Sequence, residues 1–208
     1  MLDGGAGDDV LKGGSGDDVI LAGDGDDILK GGSGSDTMIG GEGLDKLYGH
    51  RGDDTLEGGA GDDILKGGSG DDILRGGEGD DTLLGGSGDD VIVFDQFDSV
   101  VKGGSGYDTL MVSDESLDLS DFGGLQFEEI NLDEAIESLL TLDSDSVKSM
   151  TDGDNELKIV GNEEDTVQLD GDWQQGESID GFTSFTNDGA TVMVDDNIVD
   201  SGNVTVVV

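Results

Sequence analysis

The chain has 208 residues, 40 of them glycine, and its 51 acids against 9 Lys and Arg leave a formal charge of -42. So little apolar material in so glycine-rich a chain is unsuited to a conventional large core, and a surface this acidic repels nucleic acid and anionic lipid while attracting metal cations. With no cysteine, neither a disulfide framework nor a thiolate metal site can form, so any metal must be held by oxygen.

Nothing from Met1 to Val10 has a charged region followed by an apolar one, and no stretch approaches ~18 apolar residues, so neither a cleaved export signal nor membrane insertion is expected. From Gly4 the chain reads in nines: GGAGDDVLK, GGSGDDVIL, AGDGDDILK, GGSGSDTMI, GGEGLDKLY, GHRGDDTLE, GGAGDDILK, GGSGDDILR, GGEGDDTLL and GGSGDDVIV, with no insertion. The block 94–102 has lost its glycines, yet GGSGYDTLM resumes in phase at Gly103, so the degenerate block is expected to fill one structural unit. The fourth position is glycine and the sixth aspartate everywhere except at Phe97 and Ser99. The eighth is always aliphatic: Leu11, Ile20, Leu29, Met38, Leu47, Leu56, Leu65, Leu74, Leu83, Ile92, Val101 and Leu110. Leu2 falls in the same phase, an expectation that the array extends upstream.

One inward side chain per block is the simplest reading. Glycines at the first, second and fourth positions allow positive φ and close backbone approach, so six residues can form a turn and three a short strand, two such halves closing an 18-residue coil. Burial of one aliphatic side chain cannot offset the ordering of nine residues, and stacking would bring carboxylates to about the 4.8 Å spacing of strands. Disorder without a cation, and folding with one, is the expected behaviour.

The pattern GG-x-G-x-D-x-U-x, with U aliphatic, resembles the repeats-in-toxin (RTX) nonapeptide over residues 4–111. That resemblance implies an all-β fold, a right-handed parallel β-roll or β-solenoid, with calcium ions between successive turns. It places the second, fourth and sixth positions of one turn against the first, third and fifth positions of the turn 18 residues later. The implied ligands are Gly5, Gly14, Gly23, Gly32, Gly41, Gly59, Gly68, Gly77 and Gly86 at the second position, and Gly7, Gly16, Gly25, Gly34, Gly43, Gly52, Gly61, Gly70, Gly79 and Gly88 at the fourth. At the sixth they are Asp9, Asp18, Asp27, Asp36, Asp45, Asp54, Asp63, Asp72, Asp81 and Asp90, facing Asp24, Asp26, Asp53, Asp62, Asp71, Asp80, Asp89 and Asp98.

By this rule Asp36 pairs with Asp53, Asp45 with Asp62, Asp54 with Asp71, Asp63 with Asp80 and Asp72 with Asp89. Asp18, Asp27 and Asp90 would meet Ser35, Leu44 and Tyr107 and form weaker sites; Asp81 would meet Asp98; and Asp8, Asp17 and Asp108 would lack a facing turn. About ten sites result, and the 25 acids and 7 bases of residues 4–111 would be neutralised by about nine calcium ions. A carbonyl-rich, flexible turn suits calcium better than the rigid octahedral shell of magnesium.

After Met111 the period vanishes, and a β-rich cap is expected over residues 112–208, with the roll over residues 1–111. Strands are expected at Leu125–Leu132, Leu157–Val160, Thr166–Leu169 and Ala190–Val194, with a hairpin at Asn187-Asp188-Gly189. A helix capped by Asp143 or Ser144 fits Asp143–Met150, and residues 133–140 suit either helix or strand. Residues 143–146 and 152–156 have the flavour of calcium loops but lack EF-hand spacing. The order DTLMV, EINLDEA, SVKSM, DTVQLDGDWQ, FTNDGATVMVDDNI is similar to the C-terminal region of large bacterial RTX adhesins exported by type I secretion. It implies an uncleaved export signal near the carboxyl end, with Asp200–Val208 either part of that signal or an edge strand.

Phe94, Phe97 and Tyr107 are expected to plug the end of the roll, Trp173 to pack, His50 to stand exposed at a glycine position, and Lys12, Lys66 and Arg75 to be solvated. A single histidine, no cysteine and no completed GxSxG argue against an enzyme. The function this implies is a calcium-dependent folding and type I secretion module of an extracellular, monomeric adhesin, with calcium and the exporter as partners. A module of a secreted protease, lipase or toxin is the alternative. An ice-binding roll needs a regular threonine row, whereas Thr37, Thr55, Thr82 and Thr109 are sporadic.

Overall fold

Alternate nonapeptides feed two different sheets. The computed structural model describes residues 1–95, 97–112, 116–119, 126–132, 138–151 and 156–207, with 116–118 described by backbone alone. The chain divides into two units, Met1–Asp108 and Thr109–Val208.

In the first unit the strands are β1 (Leu2–Ala6), β2 (Val10–Ser15), β3 (Val19–Asp24), β4 (Ile28–Ser33), β5 (Thr37–Glu42), β6 (Lys46–Arg51), β7 (Thr55–Ala60), β8 (Ile64–Ser69), β9 (Ile73–Glu78), β10 (Thr82–Ser87), β11 (Val91–Phe94) and β12 (Val100–Ser105). The order β1-β3-β5-β7-β9-β11 makes one parallel sheet and β2-β4-β6-β8-β10-β12 the other. Every step is 18 residues in register, as in Ile20↔Met38 and Leu29↔Leu47, giving a parallel β-solenoid of about six turns. The degenerate block holds its place, since Val101 of β12 pairs with Leu83 of β10.

Most strands here are six residues long rather than three, because the first two glycines of each block stay in the ladder. Inward positions are the aliphatic eighth, fully buried from Ile20 to Ile92, and two others that the sequence reading left out. The first position is buried, as at Ala22 and Phe94, and so is the sixth-position aspartate, 0–2% exposed from Asp27 to Asp90. Phe94 goes inward as expected, but Phe97 and Tyr107 are 64% and 44% exposed. They occupy the fourth and fifth positions of their blocks, in the turns, and being exposed they do not act as plugs.

In every block but the degenerate one, whose second residue is Asp95, the second position carries positive φ, and His50 is its one non-glycine occupant there, at φ 82°. Its ring stacks on Tyr48 at 6.2 Å between centroids, a small gain against left-handed backbone strain of roughly 1–3 kcal/mol. His50→Gly is therefore expected to raise the calcium-loaded thermal midpoint by about 5 °C; a midpoint that stays put or falls would remove strain from this turn.

The second unit keeps the alternation after losing the period. Its elements are β13 (Thr109–Val112), β14 (Ser116–Asp118), β15 (Glu129–Asn131), β16 (Leu139–Asp143), α1 (Ser144–Met150), β17 (Glu156–Val160), β18 (Thr166–Asp170), β19 (Gln174–Ile179), β20 (Phe182–Asn187), β21 (Ala190–Asp195), α2 (Asp196–Asp200) and β22 (Val204–Val207). Strands β13-β15-β17-β21 run parallel and continue into the antiparallel β20 and β19, while β14-β16-β18-β22 form a second parallel sheet. Leu110, Ile130, Ile159 and Val194 stack in register, all buried, at intervals of 20, 29 and 35 residues.

The hairpin forms where Asn187 pairs with Ala190 around Asp188 and Gly189, at φ 46° and 84°, as expected of a tight turn built from Asp-Gly. Helix α1 is capped by Asp143, which accepts from the Ser146 amide at 2.7 Å. Trp173 is buried and donates Nε1–H to the Asp170 carbonyl at 3.1 Å. Leu139 and Leu140 are strand, whereas 133–137 and 152–155 lie outside the described residues. Val204–Val207 forms the edge strand β22 against β18. Among the described residues no helix is long and apolar enough to cross a membrane.

Candidate metal centre

Each block of the roll bends after its third residue, and the fourth-position glycine turns the chain with φ between 91° and 140° in the described array. Its amide donates to the third-position carbonyl of the next coil, as Gly43 does to Ala60 at 2.8 Å. Among the described turns the fourth-position carbonyls accept no backbone hydrogen bond. They point along the stack: a Cβ built on Gly61 would lie 1.9 Å from the Gly43 carbonyl oxygen.

Beside these carbonyls stand two kinds of carboxylate. The fifth position is exposed and reaches the next coil, with Asp53 accepting from the Asp71 amide at 3.0 Å and Asp71 from the Asp89 amide at 2.8 Å. The sixth is buried and reaches the preceding coil, with Asp63 accepting from the Asp45 amide and Asp72 from the Asp54 amide, both at 2.8 Å through Oδ1. Two columns result, Asp27-Asp45-Asp63-Asp81 along one edge and Asp36-Asp54-Asp72-Asp90-Asp108 along the other.

Oδ2 of Asp27, Asp36, Asp45, Asp54, Asp63, Asp72, Asp81 and Asp90 is buried without a hydrogen-bond partner. In all of these but Asp27, whose block begins with Ala22, it sits over the first-position glycine of its own block, where a Cβ on Gly58 would be 2.3 Å from Asp63 Oδ2. First-position glycines are thus kept for space rather than for positive φ.

Fifth- and sixth-position carboxylates lean in opposite directions along the stack. Because the sixth position looks back and the fifth looks forward, Asp36 is repelled by Asp17, Asp45 by Asp26, Asp72 by Asp53 and Asp90 by Asp71, in place of the pairs Asp36–Asp53 and Asp54–Asp71. For the same reason Asp8, Asp17 and Asp108 each have a facing turn, meeting the amides of Asp26, Ser35 and Asp90. Ser35, Leu44 and Tyr107 offer amides to Asp17, Asp26 and Asp89. Asp81 does lie near Asp98, whose carboxyl its charge helps to push up. Three successive turns open on a cleft of about 330 Å³ lined by Asp26, Asp27, Leu44, Asp45, Lys46 and Asp62.

Burial, opposed by the backbone amide at Oδ1 and joined by neighbouring like charges, pushes up the carboxyls of Asp36, Asp45, Asp54, Asp63, Asp72, Asp81 and Asp90. Asp54 and Asp90 rise to about 6, and Asp63 and Asp72 to about 7, from an ordinary 3.8. A raised value means that the metal-free fold binds protons the unfolded chain does not, so this stabilisation is complete below 3.8 and is lost as pH rises through 6 to 7. In chelator, the β signal in circular dichroism is expected to grow reversibly as pH falls from about 8 to about 4. A flat profile would exclude carboxylate repulsion as the obstacle to folding.

The donors present fit calcium. Unpartnered, buried carboxylate oxygens and carbonyls aimed along the stack are hard oxygen ligands. Among the described residues no three acidic or imidazole side chains gather at one point, so carbonyls must complete any shell. The second unit supplies an internal contrast, one that the irregular spacing of its sequence hides. Buried Asp165 takes the Ser138 amide on Oδ1 at 3.1 Å and the Asn162 amide on Oδ2 at 2.8 Å, over Gly161. It repeats the sixth-position geometry with an amide where the roll leaves an oxygen open.

A parallel solenoid with acid-lined turns and oxygen-only donors defines a calcium-binding β-roll. Four copies of the RTX calcium-binding nonapeptide repeat match residues 3–38, 30–65, 57–92 and 66–101, and this part of the chain is an RTX calcium-binding β-roll, a structural fold typical of type I secreted proteins. Comparison with curated proteins finds no match.

Proposed function

We propose that the chain is a calcium-dependent folding and type I secretion module of a larger extracellular RTX adhesin. The observation that carries this reading is the pair of buried aspartate columns, in which Oδ2 of Asp27, Asp36, Asp45, Asp54, Asp63, Asp72, Asp81 and Asp90 is left without a partner. Calcium supplies the positive charge these columns lack. The sixth-position carboxylates, the fifth-position carboxylates and the second- and fourth-position carbonyls of stacked turns hold about nine or ten ions, and residues 112–208 act as the cap that bears the export signal.

In a calcium-poor cytosol, repulsion keeps the chain threadable; outside, calcium at about millimolar concentration saturates sites of the weaker extracellular grade and folds it. Native mass spectrometry of the calcium-loaded chain is expected to show about nine or ten bound ions. Deletion of Asp200–Val208 is expected to abolish export through a type I exporter while leaving calcium-induced β structure in the roll. Fewer than about five ions would count against the metal reading, and undiminished export would count against the placement of the signal.

A further inference from the structure

Charge is segregated between the two sheets of the roll. Six of the seven bases in residues 1–108, Lys12, Lys30, Lys46, Arg51, Lys66 and Lys102, lie in the even strands β2 to β12, which contain no acid. The odd strands hold Asp3, Asp24, Glu42, Glu57 and Glu78 with Arg75 the one base. On the even sheet the registers Lys12↔Lys30↔Tyr48↔Lys66↔Leu84↔Lys102 stack one outward row, and the Lys30 amine sits 5.8 Å from the Tyr48 ring centroid. None of these lysines has an ion-pair partner among the described residues.

We infer that this face binds a slender acidic polysaccharide laid along the stack. Lys30, Lys66 and Lys102 recur every second coil, about 9.6 Å apart at ~4.8 Å per coil. That sparse interval suits a polymer with one carboxylate per disaccharide better than nucleic acid, whose phosphates recur about every 3.4 Å along each strand. Six-residue strands make the basic stripe only about 20 Å wide, and acidic turns border it on both sides. A duplex or a membrane would overlie those aspartates, whereas a single sugar chain stays on the stripe. Serine hydroxyls of Ser33, Ser69, Ser87 and Ser105 flank the row, and the stacked Tyr48–His50 pair offers a ring surface to a sugar. Repulsion from the rest of the chain is limited by calcium in the turns and by a screening length of about 8 Å.

The inference rests on the calcium reading, so circular dichroism in calcium is scored first. No calcium-induced β structure overturns both, whereas folding without sugar binding overturns this inference alone. With the loaded full chain, fluorescent hyaluronate oligosaccharides, which carry one carboxylate per disaccharide, are expected to bind and neutral dextran is not. K30Q/K66Q/K102Q is expected to weaken binding at least about tenfold with the calcium-induced spectrum unchanged, and raising NaCl from about 50 to about 300 mM to weaken it similarly. E42Q/E57Q/E78Q, on the opposite sheet, is expected to leave binding intact. Equal binding by the lysine variant, equal affinity for single-stranded DNA or phosphatidylglycerol vesicles, or self-association that the lysine variant abolishes would each overturn the assignment.

Discussion

In excess chelator at neutral pH, residues 1–108 are expected to lose nearly all of their β structure and to regain it when calcium is restored to about millimolar concentration. Each buried column stacks four or five aspartates with no lysine or arginine among them. At about 4.8 Å between coils and an effective dielectric of about 20, adjacent unit charges repel by about 3 kcal/mol. Against this the interior offers one aliphatic side chain per block, and from Asp27 to Asp90 the amide at Oδ1 leaves Oδ2 of each buried carboxylate without a partner. Relief must come from a proton or from a cation, and at pH 7.5 the proton is too scarce. Circular dichroism with limited proteolysis checks this. A chelated sample that keeps its spectrum and resists protease would show that the aspartate columns need no counter-ion.

The second large effect is steric. Gly61 has φ +125°, and a Cβ there would stand 1.9 Å from the carbonyl oxygen of Gly43. The obstacle is backbone in the coil below, itself pinned by hydrogen bonds on both sides, so it cannot swing away. Gly61→Ala is expected to cost at least about 3 kcal/mol and to lower the calcium-loaded midpoint by more than about 10 °C. Gly5→Ala is the control: it also has positive φ, +95°, but its Cβ meets nothing within 4 Å, so conformational strain alone remains, about 1 kcal/mol. Equal losses at the two positions would mean that close stacking of turns does not limit the side chain.

Much of this was legible because a nine-residue period carries positional information directly. The aliphatic eighth position, the turning glycines, the 18-residue coil and the in-phase degenerate block all follow from counting. The period says nothing about which way a side chain leans along the stack. Fifth and sixth aspartates are adjacent in sequence and chemically identical, yet one faces forward and exposed, the other backward and buried. Only the first-position glycine, emptied to make room for Asp63 or Asp72, hints at the difference. Local chemistry served where it was strong, at the Asp188-Gly189 hairpin and the Asp143 cap. The coils after Met111 escaped notice because their lengths vary, which erases periodicity while Ile130, Ile159 and Val194 still stack.

The alternation of the two sheets constrains how such an array can lengthen or shrink. Excising a single nonapeptide moves every downstream strand to the other sheet, mixing lysines with glutamates and dissolving the separation between β4 and β5 or β8 and β9. Excising eighteen residues shortens the stack by one storey and leaves both façades intact. Growth by paired duplication, rather than by single units, is therefore the mode of inheritance this architecture preserves.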